Sequence, residues 1–156
     1  MKKKNGFSLI ELLIVVAIIL IIAAIAIPNL LKSRMAANES SAVGSVRTLN
    51  TAQVTYQTGC PATGFAGAII SLNTGGGCLA GVGIIDNVLS TGTKSGYTFV
   101  IVSPGTTGGA AGTTYDTNAA PVTLNVTGVR YFYSNESGVI RYASGAAADA
   151  NSPALQ

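Results

Sequence analysis

The sequence has no histidine and no tryptophan, only two cysteines, and charged side chains at just 10% of its 156 positions. Without histidine the chain lacks the commonest proton shuttle near neutral pH, the commonest partner for a nucleophile and the commonest metal ligand. Nothing else in the inventory points to catalysis, and no enzymatic activity is expected. Acids are scarce: Glu11, Glu39, Asp86, Asp116, Glu136 and Asp149 are all there are. The net charge of +3 does not describe a polyanion-binding surface. Lys2, Lys3 and Lys4 account for the excess, and the other six bases (Lys32, Arg34, Lys94, Arg47, Arg130, Arg141) balance the six acids. No nucleic-acid partner is therefore expected. A basic run ahead of an apolar one is instead a membrane-orientation signal, with the lysines held on the cytoplasmic side.

What is abundant is aliphatic side chain near the start. Residues 7–27 read F-S-L-I-E-L-L-I-V-V-A-I-I-L-I-I-A-A-I-A-I, interrupted only by Ser8 and Glu11. As a helix at about 1.5 Å per residue, this run is about 30 Å long and reaches across a hydrocarbon core. Pro28 follows and removes one backbone hydrogen bond. Beyond it, Leu31, Met35, Ala42, Val46, Leu49 and Tyr56 recur at spacings near three, four or seven, between Lys32, Arg34, Asn38, Glu39, Ser45 and Arg47. The pattern predicts one helix over 7–58, apolar all round in its first half and one-sided in its second. Gly59 and Pro61 mark its end.

From residue 59 the composition changes, and seventeen of the nineteen glycines lie there. β-branched and aromatic runs predict strands at 97–102, 129–133 and 139–142, the last two joined through a turn at 134–138. One more strand is expected within 113–126, around either Thr114–Asn118 or Val122–Val126. The segment 61–96 reads as loop-rich, with a short helix around Ile84–Leu89, and Gly145–Gln156 reads as a frayed tail. Thr91-Gly92-Thr93-Lys94-Ser95 lacks the glycine before lysine that a phosphate loop needs and reads as a plain loop. Among Tyr131, Phe132, Tyr133 and Tyr142, alternate rings are expected to pack the sheet onto the helix. Asp116, Glu136 and Asp149 are the acids a calcium ion could recruit, but they lack the spacing of an oxygen-ligand loop. No cofactor is expected.

The most informative stretch is Gly6-Phe7-Ser8-Leu9-Ile10-Glu11-Leu12. A secretory signal peptide, with Ala24-Ile25-Ala26 as its small-residue cleavage site, would explain the basic and apolar runs. So would a simple signal anchor. Neither explains Glu11, since a carboxylate costs roughly 2.5–3.5 kcal/mol at mid-bilayer and less near the interface. The ordered run G-F-S-L-I-E-L-L-I-V-V-A-I-I resembles the cleavage and methylation signature of the type IV pilin superfamily, which includes the pseudopilins of type II secretion. The likeness is contiguous through Pro28 and looser to about residue 58.

The resemblance implies an α+β fold, with a long N-terminal helix packed on a small antiparallel sheet. It implies a leader over 1–6, a transmembrane and assembly half of the helix over 7–28, an amphipathic half over 29–58 and a globular head over 59–156. Gly6 would be the last leader residue, cut from Phe7 by a membrane prepilin peptidase that then N-methylates Phe7. Glu11 would pair with the N-terminal amine of a neighbouring copy, because buried opposite charges are costly apart and tolerable together. Pro28 would mark where the helix loosens in a filament, although Leu20 stands where many relatives have glycine. Because the head would be exported, Cys60 and Cys78 are expected to be oxidised to a disulfide, with two free thiols as the alternative. The implied partners are further copies of the chain, the peptidase and an inner-membrane assembly platform. The implied location is the inner membrane of a bacterium, then either an extracellular pilus or a periplasmic pseudopilus.

Overall fold

The computed structural model describes residues 7–75, 78–103 and 112–155. Two compact units, Met1–Arg34 and Met35–Gln156, divide the chain. Helix α1 runs over Leu9–Gly59 with Pro28 inside it. In the first unit its aliphatic side chains are exposed all round, from Leu9 to Leu31. This helix is long and apolar enough to cross a membrane.

In the second unit, α1 buries Ala42, Val46, Leu49, Gln53 and Tyr56, spaced alternately by four and three, so they form one stripe on a 3.6-residue helix. That stripe packs on a five-stranded sheet of β1 (Thr93–Lys94), β2 (Tyr97–Val102), β3 (Asp116–Pro121), β4 (Arg130–Asn135) and β5 (Arg141–Ser144). The strand order is β1-β2-β3-β4-β5 with every neighbour antiparallel, a meander. Phe99, Ala119, Phe132 and Tyr142 are register partners across four strands. The first three are buried against α1, and Tyr142 packs half-buried at the edge. The α+β architecture expected from the sequence is the one observed.

Several local expectations change. Strand β3 begins inside Thr114–Asn118 but continues to Pro121, whereas Val122–Val126 is a turn, with Asn125 at φ 63° and Thr127 N–H donating to Thr123 O at 2.9 Å. The segment read as a plain loop at 91–95 contains β1. Ser95 (φ 51°) and Gly96 (φ 73°) form its two-residue turn into β2, and positive φ at both positions suits the twist of a tight hairpin. The 61–96 region holds a helix the pattern did not signal, α2 (Ile69–Thr74), and its second helix, α3, sits later, at Asn87–Ser90. Asp86 sets that start: its Oδ1 accepts from Leu89 N–H at 2.8 Å, an N-cap that the apolar pattern alone hides.

The tail is docked rather than frayed. Tyr142 N–H donates to Pro153 O (3.0 Å), Leu155 N–H donates to Ile140 O (2.7 Å), and Ala148 is buried. On the helix, Leu31 is exposed, while Glu39 and Ser45, read as solvent-facing, are buried. Tyr133 is also buried rather than free on the outer face, since its hydroxyl donates to Asp116 Oδ1.

Candidate processing and assembly site

The residues singled out by the motif sit at the start of α1. Gly6, the expected cleavage residue, lies outside the described residues, as do Lys2, Lys3 and Lys4. Phe7 is exposed. Ser8 N–H donates to Glu11 Oε2 at 2.9 Å, and Leu12 N–H donates to Ser8 O at 3.3 Å. This is one arm of a capping box, in which the carboxylate three residues in satisfies a backbone donor that the helix leaves open. It explains why the helix starts at Leu9 rather than Phe7. The spacing Ser8-x-x-Glu11 ahead of an apolar run carries this signal, and reading Glu11 only as a misplaced charge overlooks it.

Glu11 is the only charged side chain between Leu9 and Leu31. Leu9, Leu12, Leu13, Val16, Ala17 and Leu20 line an apolar groove beside it. Pro28 lies further along the helix; its missing N–H leaves the carbonyl of Ala24 without the usual intrahelical donor.

The second unit carries a buried carboxylate on α1, Glu39. Its Oε1 accepts from Val129 N–H (2.8 Å) and Arg130 N–H (3.1 Å), and its Oε2 accepts from Arg130 Nε at 2.7 Å. Burial alone would push this carboxyl up, but the Val129 N–H, then the Arg130 side chain and N–H, outweigh it and hold it below the ordinary value. The Arg130 guanidinium also lies 5.6 Å from the Phe132 ring centroid and 5.7 Å from that of Tyr142. The clasp ties α1 to the start of β4 and was not legible from spacing, because its partners lie some ninety positions away.

Cys60 and Cys78 are bridged, with Cα atoms 6.0 Å apart. Just before the bridge, Gln53 takes both backbone groups of Ala66: Nε2 donates to Ala66 O (3.0 Å) and Oε1 accepts from Ala66 N–H (2.8 Å). Among the described residues no group of three or more acidic or cysteine side chains is placed to hold a metal ion. Of the acids considered for calcium, Asp116 accepts from Tyr133, and Asp149 Oδ1 accepts from Asn151 N–H (3.0 Å) and the Ser152 hydroxyl (2.9 Å). Burial first, and the bond to Asp116 second, push the Tyr133 hydroxyl up to about 12. Burial likewise raises Tyr115 to about 12.

The chain is thus an apolar helix opened by a glutamate cap, joined in sequence to an α+β head. Residues 1–27 match the prokaryotic N-terminal methylation motif. The type IV major pilin protein PilA of Myxococcus xanthus is 50% identical over 54 residues, which cover 35% of this chain and 24% of that protein. The type IV wide pilus major component PilA4 of Thermus thermophilus is 60% identical over 40 residues, 26% of this chain and 30% of that protein. The chain thus spans about a third or less of the length of these relatives. No solved structure matches it.

Proposed function

We propose that this chain is a structural subunit, without enzymatic activity, of a type IV pilus-like filament. In this reading, prepilin peptidase removes 1–6 after Gly6 and methylates Phe7. Residues 7–28 then serve as membrane span and assembly helix, 29–58 as the amphipathic half, and 59–156 as the exported head. The observation that carries the reading is Glu11, one turn into a stretch, Leu9–Leu31, that is otherwise uncharged, with a single hydrogen-bond donor and no cation beside it among the described residues. A carboxylate so placed in hydrocarbon calls for a cationic partner. Cleavage at Gly6 creates one, the α-amine of Phe7 on a neighbouring copy. Removal of the leader also takes away the three lysines that hold the precursor's cytoplasmic end. Pro28, with its missing hydrogen bond, is where α1 can loosen on packing.

The two relatives named as pilus components favour an extracellular pilus over a periplasmic pseudopilus, which is the second reading. Export of the head agrees with its disulfide. Mass spectrometry of the purified protein is expected to give an N-terminus at methylated Phe7, and electron microscopy to show surface filaments containing it. A mature start at Ile27 would overturn the reading in favour of signal-peptide cleavage. Correct processing with periplasmic retention would favour the pseudopilus.

A further inference from the structure

Charges are few in this chain, and their partners can be traced one by one among the described residues. Five of the six acids are engaged within the chain. Glu11 accepts from Ser8, Glu39 from Val129 and Arg130, Asp86 from Leu89 and Lys94, Asp116 from Tyr133, and Asp149 from its own turn. Glu136 alone has neither a hydrogen bond nor an ion pair. It is exposed at the β4–β5 turn. That turn is closed by its own hydrogen bonds: Gly138 N–H donates to Asn135 O at 2.9 Å, and Asn135 Oδ1 accepts from Ser137 N–H (3.1 Å) and the Ser137 hydroxyl (2.6 Å). Asp116 is the register partner of Asn135, so this end of the sheet bears two carboxylates.

On the basic side, Lys94, Arg130 and Arg141 have partners, and Lys32, Arg34 and Arg47 have none. Arg47 differs from the other two in its surroundings. It is exposed on α1 between two grooves of the head. One, of about 420 Å³, also has Thr48, Thr51 and Thr55 in its wall. The other, of about 460 Å³, is walled by Ser40, Gly44 and Arg130. A Cβ placed on Gly44 would meet nothing within 4 Å, so this wall leaves room for an incoming chain. No ion pair joins Glu136 to Arg47 within one copy.

We infer that Arg47 of one copy receives the Glu136 turn of a second copy, so that the contact between heads is a heterologous acid–base pair. A turn held by its own asparagine loses little freedom on docking, and a planar guanidinium suits a carboxylate. The two surfaces differ and sit on every copy, so each copy offers one of each and the contact can repeat from copy to copy along a filament. Asp116 adds negative charge beside the turn, which favours its approach to the unpaired Arg47. The inference rests on the filament reading and supplies a contact for its heads.

The test is a charge swap in the full-length chain, read as filament yield by shearing and electron microscopy. Glu136→Arg and Arg47→Glu are each expected to lower the yield roughly tenfold, since each sets like charges opposite one another. The double variant should return to within about twofold of the parent. Retention of the Cys60–Cys78 bridge in membrane-extracted subunits checks that each head has folded. Single variants that assemble as well as the parent would overturn the contact while leaving the filament reading intact. Rescue of Glu136→Arg by Arg34→Glu, and not by Arg47→Glu, would overturn it in favour of another part of the helix. An unsubstituted chain that forms no filament would overturn the underlying reading, and the contact with it.

Discussion

Glu11 and Glu39 lie on the same helix beside apolar surface, and the two units treat them differently. In the head, Glu39 has three donors and a guanidinium, and the carboxyl is held below its ordinary value. In the first unit, Glu11 has one backbone N–H and no cationic partner among the described residues. The charge on Glu39 is settled when the chain folds. The charge on the first unit has no cationic partner among the described residues. The proposed filament role fits this contrast: one carboxylate satisfied within the head and one left open on the helix.

The largest effect should come from removing that open carboxylate. Glu11→Val is expected to be cleaved and methylated normally, since the cleavage bond is untouched, but to lower filament yield more than roughly tenfold through loss of the buried pair. Normal filaments from this variant would erase the contrast between the two carboxylates.

On the settled side, replacing Glu39 by alanine strands Arg130 and two backbone donors. It should destabilise the head by about 2–3 kcal/mol after allowing for the partial exposure of Arg130, measured by urea unfolding of the detergent-extracted chain. The same carboxyl gives a signed pH dependence. Its folded value lies below the ordinary 4.5, so its contribution is complete above about that pH and fades as pH falls through the lower folded value. Glu39→Gln should flatten this acid limb, and an unchanged limb would show that another group controls it.

Reduction of Cys60–Cys78 comes at a similar scale, about 3 kcal/mol in the chain-entropy model. Because Gln53 still holds Ala66, protease sensitivity is expected to rise between residue 67 and Cys78 rather than throughout the head. The smallest expected effect is at Thr117, whose hydroxyl is buried without a partner among the described residues. Thr117→Val should raise head stability by about 1 kcal/mol or less, seen as a shifted unfolding midpoint.

Legibility followed the range of the interactions. The apolar run, the α1 stripe and β2 are periodic within a few residues, and the sequence displays them directly. The two-residue turn at Ser95–Gly96 depends on backbone angles that Thr-Lys-Ser-Gly does not announce, so β1 was hidden. Asp86 fixes the start of α3 through a single side-chain bond, which shifted that helix from where its apolar residues suggested. Glu39 could not be read at all, because at helical spacing a buried carboxylate and a solvated one look alike until Arg130 arrives from far along the chain. At the candidate site, Ser8-x-x-Glu11 was visible as a motif but not as a cap.

The docking of residues 153–155 against Ile140 and Tyr142 has a consequence for timing. For a head threaded outward as an unfolded chain, β5 cannot complete its hydrogen bonding until that segment has emerged. Without residues 153–155 the Tyr142 N–H and the Ile140 carbonyl would be left open to water. The edge of the sheet is therefore completed by a segment that follows it in the chain, so its last strand closes later than the strands before it.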